Sequence, residues 1–511
     1  MFRLKSSHAS LFLQCAALCA LCTLVISLLP VVSAQSATAT VSGVVTDEKQ
    51  AVITKATITA VNEATRLTRK ATSNDDGYFT IPLLPPSNYT LTVERDGFAS
   101  ARVPNVVLNV GDQRSLQIQL KVGQVDATVN VTDQAPLINE SPAVGTVVDR
   151  QFVENLPLNG RSFQSLISLT PGIVTAASSI TEPGQFSVNG QRSDANYFTV
   201  DGVSANAAST GGAGTLGQSA SGSVPATSAL GGTNNLVSVD ALQEFRVQTS
   251  TFAPEFGRTP GAQVQIVTRP GTNAFTGTVF EYFRNGALDA NDWFANSRGL
   301  PRPELRQNDF GGVLGGPIIK DKTFFFFSYE GLRLSQPVVR ISTVPSLCVR
   351  GQGGCPAGIP PADARLRPIL NAYPLPNGRD LGNGLAEFNA SFTNPSSLDA
   401  TSIRVDHSLG ARLTLFGRYN HAPSDSTKRG VFSLSTVGPV QVATDTLTLG
   451  ATWVISTSTI NEFRFNYSKT QTAARVPMER GRRTVARPQS RLIRFVCRRH
   501  RPASAATRVS H

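Results

Sequence analysis

Few residues in this 511-residue chain stand at spacings that support chemistry. A hydrolytic zinc centre needs three close ligands and a general base. Between residues 35 and 479 the only histidines are His407 and His421, and neither has a glutamate at ligand spacing. Both read as strand or strand-end residues, so no catalytic residue and no metal site are expected. Gly212-Ala213-Gly214-Thr215-Leu216-Gly217 matches the dinucleotide fingerprint letter for letter. That loop works only between a buried strand and a helix whose N-terminus meets a pyrophosphate. Here it lies in a Ser, Ala, Gly and Thr tract from Ala207 to Gly232, so it reads as a loop, and no cofactor is expected. Cys348 and Cys355 flank a glycine-rich stretch inside a proline-rich loop. In an exported chain they pair as a local disulfide, and the other reading is two free thiols.

Export is read from the first 34 residues. Arg3, Lys5 and His8 precede an apolar run from Leu11 to Leu29, and Val32-Ser33-Ala34 supplies the small residues a signal peptidase needs. A retained anchor is the alternative reading of that run. The formal charge of +12 suggests nucleic acid until its distribution is examined. Ten arginines and no acid fall between Arg480 and His511, two more cations sit in the signal, and the body between is neutral. The tail is either an arginine arm for phosphates or an aberrant extension, because composition changes abruptly there and apolar periodicity stops. The second reading is preferred, with 471–511 disordered and no nucleic-acid partner.

The rest of the chain reads as all-β dominated. Only 16% of residues are charged, and Thr, Val, Phe and Ser recur in short alternating runs. Within 38–122 seven such runs, at 40–46, 55–61, 65–72, 78–81, 88–94, 106–110 and 115–121, are separated by turn residues such as Asn74-Asp75-Asp76-Gly77 and Asp96-Gly97. Apolar positions alternate, as in Tyr89, Leu91 and Val93, so one face of each strand is buried and a small β-sandwich is expected.

Gly43-Val44-Val45-Thr46-Asp47, Asp76-Gly77-Tyr78-Phe79, Tyr89-Thr90-Leu91-Thr92-Val93 and Asp96-Gly97-Phe98 together resemble the carboxypeptidase regulatory-like domain. That resemblance implies a transthyretin-like or carbohydrate-binding-like sandwich. Residues 126–269 are less regular. They contain Leu156-Pro157-Leu158-Asn159-Gly160-Arg161, Ser187-Val188-Asn189-Gly190-Gln191-Arg192, Val200-Asp201-Gly202-Val203 and Phe252-Ala253-Pro254-Glu255-Phe256-Gly257-Arg258. In this order, after such a sandwich, they resemble the mixed α+β plug of an Oar-like TonB-dependent outer-membrane receptor.

From 270 to 470 the period-2 signal strengthens. Phe463, Phe465 and Tyr467 alternate with Glu462, Arg464 and Asn466, while Leu447, Leu449 and Trp453 alternate with Thr446, Thr448 and Thr452. Apolar-out and polar-in strands of about ten residues suit a transmembrane β-barrel, and a soluble sheet with one wet face would alternate likewise. Seven candidate strands are found, at 274–284, 308–316, 322–334, 402–408, 411–420, 444–455 and 460–469. Plugged transporters close with about 22 strands, so the barrel is expected to be incomplete and the chain truncated within it.

The resemblance implies outer-membrane lipid as surroundings, an extracellular ligand of unknown identity, and a periplasmic TonB-type energy-coupling protein that adds a β-strand to an accessible segment. Asp126, Thr128, Val129 and Val131 in Asp126-Ala127-Thr128-Val129-Asn130-Val131-Thr132 are the candidates for that contact. The same stretch also reads as the first plug strand. The alternative function is a secreted or cell-surface carbohydrate-binding or adhesion module, although of Tyr78, Phe79, Tyr89 and Phe98 two alternate into the core, so a sugar platform is not evident.

Overall fold

The computed structural model describes residues 37–123, 128–130, 138–139, 144–155, 164–175, 186–192, 195–207, 224–225, 228–230, 235–252, 260–429, 437–456, 459–474 and 489–500. The export segment 1–34, the hexad 212–217, the motif 156–161 and nearly all of 252–258 lie outside them.

The N-terminal region contains β1 (Ala39–Thr46), β2 (Thr57–Asn62), β3 (Thr68–Thr72), β4 (Tyr78–Leu84), β5 (Ser87–Glu94), β6 (Ser100–Leu108) and β7 (Gln113–Gln119). Two short strands from further along the chain, β8 (Thr128–Asn130) and β9 (Ile138–Asn139), join its edges, giving sheets ordered β3-β2-β5-β6-β8 and β4-β1-β7-β9. Alternation builds the core: Val41, Ile58, Phe79, Tyr89, Leu91 and Ile118 are buried between the sheets. The Tyr89 hydroxyl donates to the Pro85 carbonyl at 2.8 Å, and burial pushes its pKa above the ordinary tyrosine range. β6 starts six residues earlier than its apolar pattern suggests, because the small buried residues Ser100 and Ala101 carry no hydrophobic signal.

The middle region follows with β10 (Val144–Val148), β11 (Ile173–Thr175), β12 (Phe186–Val188), β13 (Tyr197–Val200), β14 (Val203–Ser204), β15 (Asn206–Ala207), β16 (Val224–Pro225), β17 (Leu242–Ser250) and β18 (Gln263–Thr268). Short helices span Arg150–Asn155 and Gln164–Ile167, which makes this part mixed α+β. Its main sheet runs β10-β17-β18-β13-β14, with β13 parallel to β18. One face of that sheet is apolar, with Phe198, Phe245, Val247, Val264 and Ile266 packed into one core.

The C-terminal region is a single antiparallel sheet of eight strands in chain order: β19 (Thr276–Asn285), β20 (Arg306–Ile319), β21 (Thr323–Pro345), β22 (Leu385–Leu409), β23 (Leu413–Arg429), β24 (Val437–Ser456), β25 (Thr459–Ala474) and β26 (Gln489–His500). Among the described residues β19 and β26 form its two edges and do not pair with each other. All seven strands read from the sequence are present. The expectation of a structureless segment after residue 470 is corrected: β25 continues to Ala474, and β26 pairs with it from Ile460↔His500 to Thr470↔Gln489. Its arginines hid the strand, since they erase the apolar alternation without weakening main-chain pairing.

The hairpin of β21 and β22 pairs without a shift from Thr323↔His407 to Pro345↔Leu385. At about 3.3 Å per residue, β22 extends roughly 80 Å, against the nine to eleven residues that cross a bilayer. Residues 335–345 and 385–401 carry no visible strand pattern because Ser, Thr, Asn and Pro interrupt their alternation, which leaves the ladder intact.

Candidate functional site

The polar face of the C-terminal sheet meets the middle region through a network of hydrogen bonds. Asp201 and Gly202 connect β13 to β14, with φ of 50° and 80°. Asp-Gly suits such a two-residue hairpin, where both central residues take positive φ. The tight turn aims the Asp201 carboxylate at β18 and β22. It accepts from the Thr268 amide at 2.9 Å, from the Thr268 hydroxyl and, at 3.2 Å, from Arg404 Nη1. Arg404 also donates Nε and Nη2 to Asp406, at 2.9 and 2.8 Å to its two oxygens. Its guanidinium lies over the Phe416 ring at 4.8 Å, and Arg464, ion-paired with Glu462, lies over the same ring at 4.9 Å. A planar fork with five donors can serve two carboxylates and an aromatic face at once, which a lysine could not.

Further along the same sheet, Arg418 Nη2 donates to the Leu236 carbonyl at 2.7 Å and Asn420 Nδ2 to the Asn235 carbonyl at 3.0 Å. Ser424 accepts from the Ala229 amide at 2.8 Å. The middle region is therefore held in large part by groups that could exchange partners one by one, with apolar contact at Val313 and Phe326, at Leu230 against Leu332 and Leu398, and at Ala229 against Val440 and Val442. A cavity of about 300 Å³ opens where the three regions meet, lined among others by Thr65, Pro86, Thr268, Arg404, His407 and Phe416.

A second polar junction joins the sandwich to the middle sheet. On β17, Glu244, Arg246 and Gln248 alternate with the core residues Phe245 and Val247, and Gln265 lies on the same polar side of β18. The turn 109–112 between β6 and β7 docks there. Arg246 Nη1 donates to the Val110 carbonyl at 2.8 Å and to Asp112 Oδ1 at 3.3 Å, and Arg114 Nε donates to the other Asp112 oxygen at 3.1 Å. Glu244 accepts from the Val110 amide. Arg246 is thus committed to Asp112, and burial pushes the Glu244 pKa up to about 8 against the opposing Val110 hydrogen bond and Arg246 charge. Gly111 (φ +69°) makes the turn possible, and a Cβ there would lie 3.2 Å from Arg246 Nη1.

The outer face of the C-terminal sheet is the reverse. Val279, Leu314, Phe327, Ile403, Leu415, Leu449 and Trp453 are exposed, while Glu462, Arg464, Asn466, Thr448 and Ser402 are buried. At the far end of this apolar band Tyr329 donates to Asp399 at 2.8 Å and Tyr419 to Asp445 at 3.0 Å. Exposed greasy residues over a buried polar layer invert the arrangement that water imposes.

The residues singled out from the sequence are distributed as follows. Cys348 and Cys355 form a disulfide, with Cα atoms 4.9 Å apart, in the loop that closes the β21–β22 hairpin. Thr128 and Val129 lie in β8, which pairs with β6 of the sandwich rather than with the middle sheet, while Asp126 and Val131 lie outside the described residues. His407 shares a 2.8 Å hydrogen bond with the Thr323 hydroxyl, and His421 contacts Asp445 at 2.7 Å. Of the four sandwich aromatics, Phe79 and Tyr89 are core, Phe98 is partly buried and Tyr78 is exposed. The Asp201-Gly202 motif is visible in the sequence, but its partner Arg404 lies 203 residues away. Glu244 and Arg246 carry a local signal, since charged residues alternating with Phe245 and Val247 are a visible sign of a sheet with two committed faces.

Comparison with known proteins agrees with this layout. Residues 40–121 match the carboxypeptidase regulatory-like domain, and residues 267–489 match the outer membrane beta barrel domain. The TonB-dependent transporter Oar of Myxococcus xanthus is 28% identical over 285 residues, covering 53% of this chain and 24% of the relative. The chain thus spans about a quarter of the length of that curated relative. Among solved structures, the outer membrane transporter YddB from Escherichia coli matches at 11% identity and a TM-score of 0.44, over 65% of this chain and 39% of that one. The ferric enterobactin receptor PfeA from Pseudomonas aeruginosa, as an R480A mutant with enterobactin, matches at 14% and 0.41, over 65% and 41%. The family matches and the relationship to Oar identify the chain as a homologue of TonB-dependent transporters, a carboxypeptidase regulatory-like domain ahead of an outer membrane beta barrel domain, and place it in the cell outer membrane.

Proposed function

We propose that the chain carries the N-terminal working parts of a TonB-dependent receptor: a periplasmic sandwich, a plug formed by the middle region, and barrel strands around it. The observation that carries this reading is the inverted sheet, with Leu449 and Trp453 exposed outside while Arg418, Glu462 and Arg464 are buried inside against or beside the plug. Such a sheet is at home only where the outer solvent is hydrocarbon.

Orientation follows from the connections. The turns 320–322 and 410–412 are short, whereas 286–305 and 346–384 are long, the asymmetry expected of periplasmic and extracellular ends. The sandwich lies at the short-turn end, where Arg69 donates to the Ala411 carbonyl and Asn273 donates to the Ala64 carbonyl at 3.1 Å. An extracellular ligand would therefore meet the tall β21–β22 hairpin first and the plug next, with the energy-coupling protein on the sandwich side. The role is passage rather than catalysis, and the ligand is unidentified. Expression with membrane fractionation tests the reading, together with protease treatment of intact cells. Recovery in the outer membrane with cleavage in the 346–384 loop is expected, and recovery as a soluble periplasmic protein would refute it.

A further inference from the structure

The sandwich is fastened to the other two regions at separate places. At the rim of the C-terminal sheet Arg69, only 5% exposed, donates Nη1 to the Ala411 carbonyl and Nη2 to the Thr414 hydroxyl at 3.4 Å. The Asn273 amide donates to the Ala64 carbonyl at 3.1 Å, and Asn273 is itself tied to the β20–β21 turn by two reciprocal 2.8 Å hydrogen bonds with Asp321. The β2–β3 hairpin thus bridges the start of β19 and the β22–β23 turn. The second anchor is the turn 109–112 on the middle sheet. The lining of the 300 Å³ cavity runs from Ala64 and Thr414 at the first anchor to Thr38 at the second, where the Thr38 carbonyl accepts from the Gly111 amide at 3.0 Å.

We infer that this cavity is the periplasmic end of the passage and that the sandwich is a gate across it, held shut by the two anchors. This rests on the receptor reading above and names what regulates exit there. Asp201, Thr268 and Arg404 line the cavity and also bond the middle region to the C-terminal sheet, so loosening that contact would open the barrel interior into it. Beyond it stands the sandwich, whose close-packed core leaves no way through, with Ile58, Tyr89 and Leu91 fully buried. A passenger in the cavity leaves when the sandwich moves as a body. The lining suits transit: Arg404 is committed to Asp201 and Asp406, and Arg464 to Glu462, which leaves threonine hydroxyls to meet a ligand. A site on a passage must hold its occupant weakly enough to let it go.

The test follows thiol labelling of the full chain in detergent. Thr452→Cys, at a cavity position 8% exposed, reports on the chamber, and Thr343→Cys, at an exposed position of β21, serves as the reference. Each is read by mass spectrometry of its own peptide. Arg69→Ala removes the rim anchor and Asp112→Ala the other. Each should speed labelling at 452 at least tenfold and leave labelling at 343 unaltered. Amide protection in β5 reports whether the sandwich stays folded, and if one variant loses it the other carries the test. Labelling at 452 as fast as at 343 in the parent chain, or no faster in the folded variants, overturns the gate. Neither result touches the receptor reading, which falls only if the chain is recovered as a soluble periplasmic protein.

Discussion

In β5 of the sandwich, Tyr89, Leu91 and Val93 are buried, and Asn88 and Glu94 at its ends are exposed. In β25 of the barrel domain, Glu462, Arg464 and Asn466 are buried, and Phe463, Phe465 and Tyr467 face outward. Both strands alternate with the same period, so the pattern alone fixes two faces without fixing which one is inside. The surrounding solvent decides that. Water drives the apolar face of β5 inward, and hydrocarbon lets that of β25 remain outside.

Substitutions at matched positions can break the comparison. The largest effect is expected for Tyr89→Ala in the sandwich core, about 3–5 kcal/mol, since a fully buried aromatic is lost and its cavity remains. Limited proteolysis of residues 37–123 in the full chain should detect it, and wild-type resistance would contradict the assigned core. Next comes Leu449→Arg on the lipid-facing side, at about 2–4 kcal/mol if it lies near the bilayer midplane. Its recovery in the outer membrane should fall, whereas in a soluble sheet an exposed leucine tolerates arginine within about 0.5 kcal/mol.

Two smaller effects sharpen the comparison at the junction between the sandwich and the middle region. Gly111→Ala forces a side chain into a left-handed turn and toward Arg246, at about 1–2 kcal/mol. Faster hydrogen exchange at Val110 and Asp112, with the sandwich core unaltered, is the expected signature. Glu244→Gln acts mainly on pH dependence. The Glu244 carboxyl holds its proton up to about pH 8 in the folded chain and loses it near pH 4.5 when exposed. Its contribution is therefore complete below about pH 4.5 and declines as pH rises to about 8, because the folded state binds the extra proton across that window. Junction protection measured from pH 5 to 8 should fall in the wild type and stay flat in the variant. Equal slopes would remove Glu244 from the junction.

The sandwich was legible almost strand by strand, because turn residues punctuate it and core positions such as Leu116 and Ile118 alternate cleanly. Two features escaped for identifiable reasons. Strand ends in the tall hairpin carry Ser391, Thr393 and Asn394, which pair through their main chains while offering no hydrophobic contrast. The stretch at 128–130 reads as a strand, but nothing local marks β6 of the sandwich as its partner. The polar junctions depend on partners such as Asp201 and Arg404 or Val110 and Glu244, separated by hundreds of residues or nearly so. Nothing local in a sequence marks a contact of that range. What could have been read is that Glu244, Arg246 and Gln248 require cover, since the opposite face of the same strand is already spent on the core.

The turn at 109–112 rests on β17 through carboxyl groups, a guanidinium and main-chain groups. Each of these groups can trade its protein partner for water. Pulling the turn away would therefore bare chiefly polar groups, Val110 being the one buried apolar side chain it carries, and the parts could reseat without refolding. A joint of this kind can part and close again, working like a clasp rather than a weld.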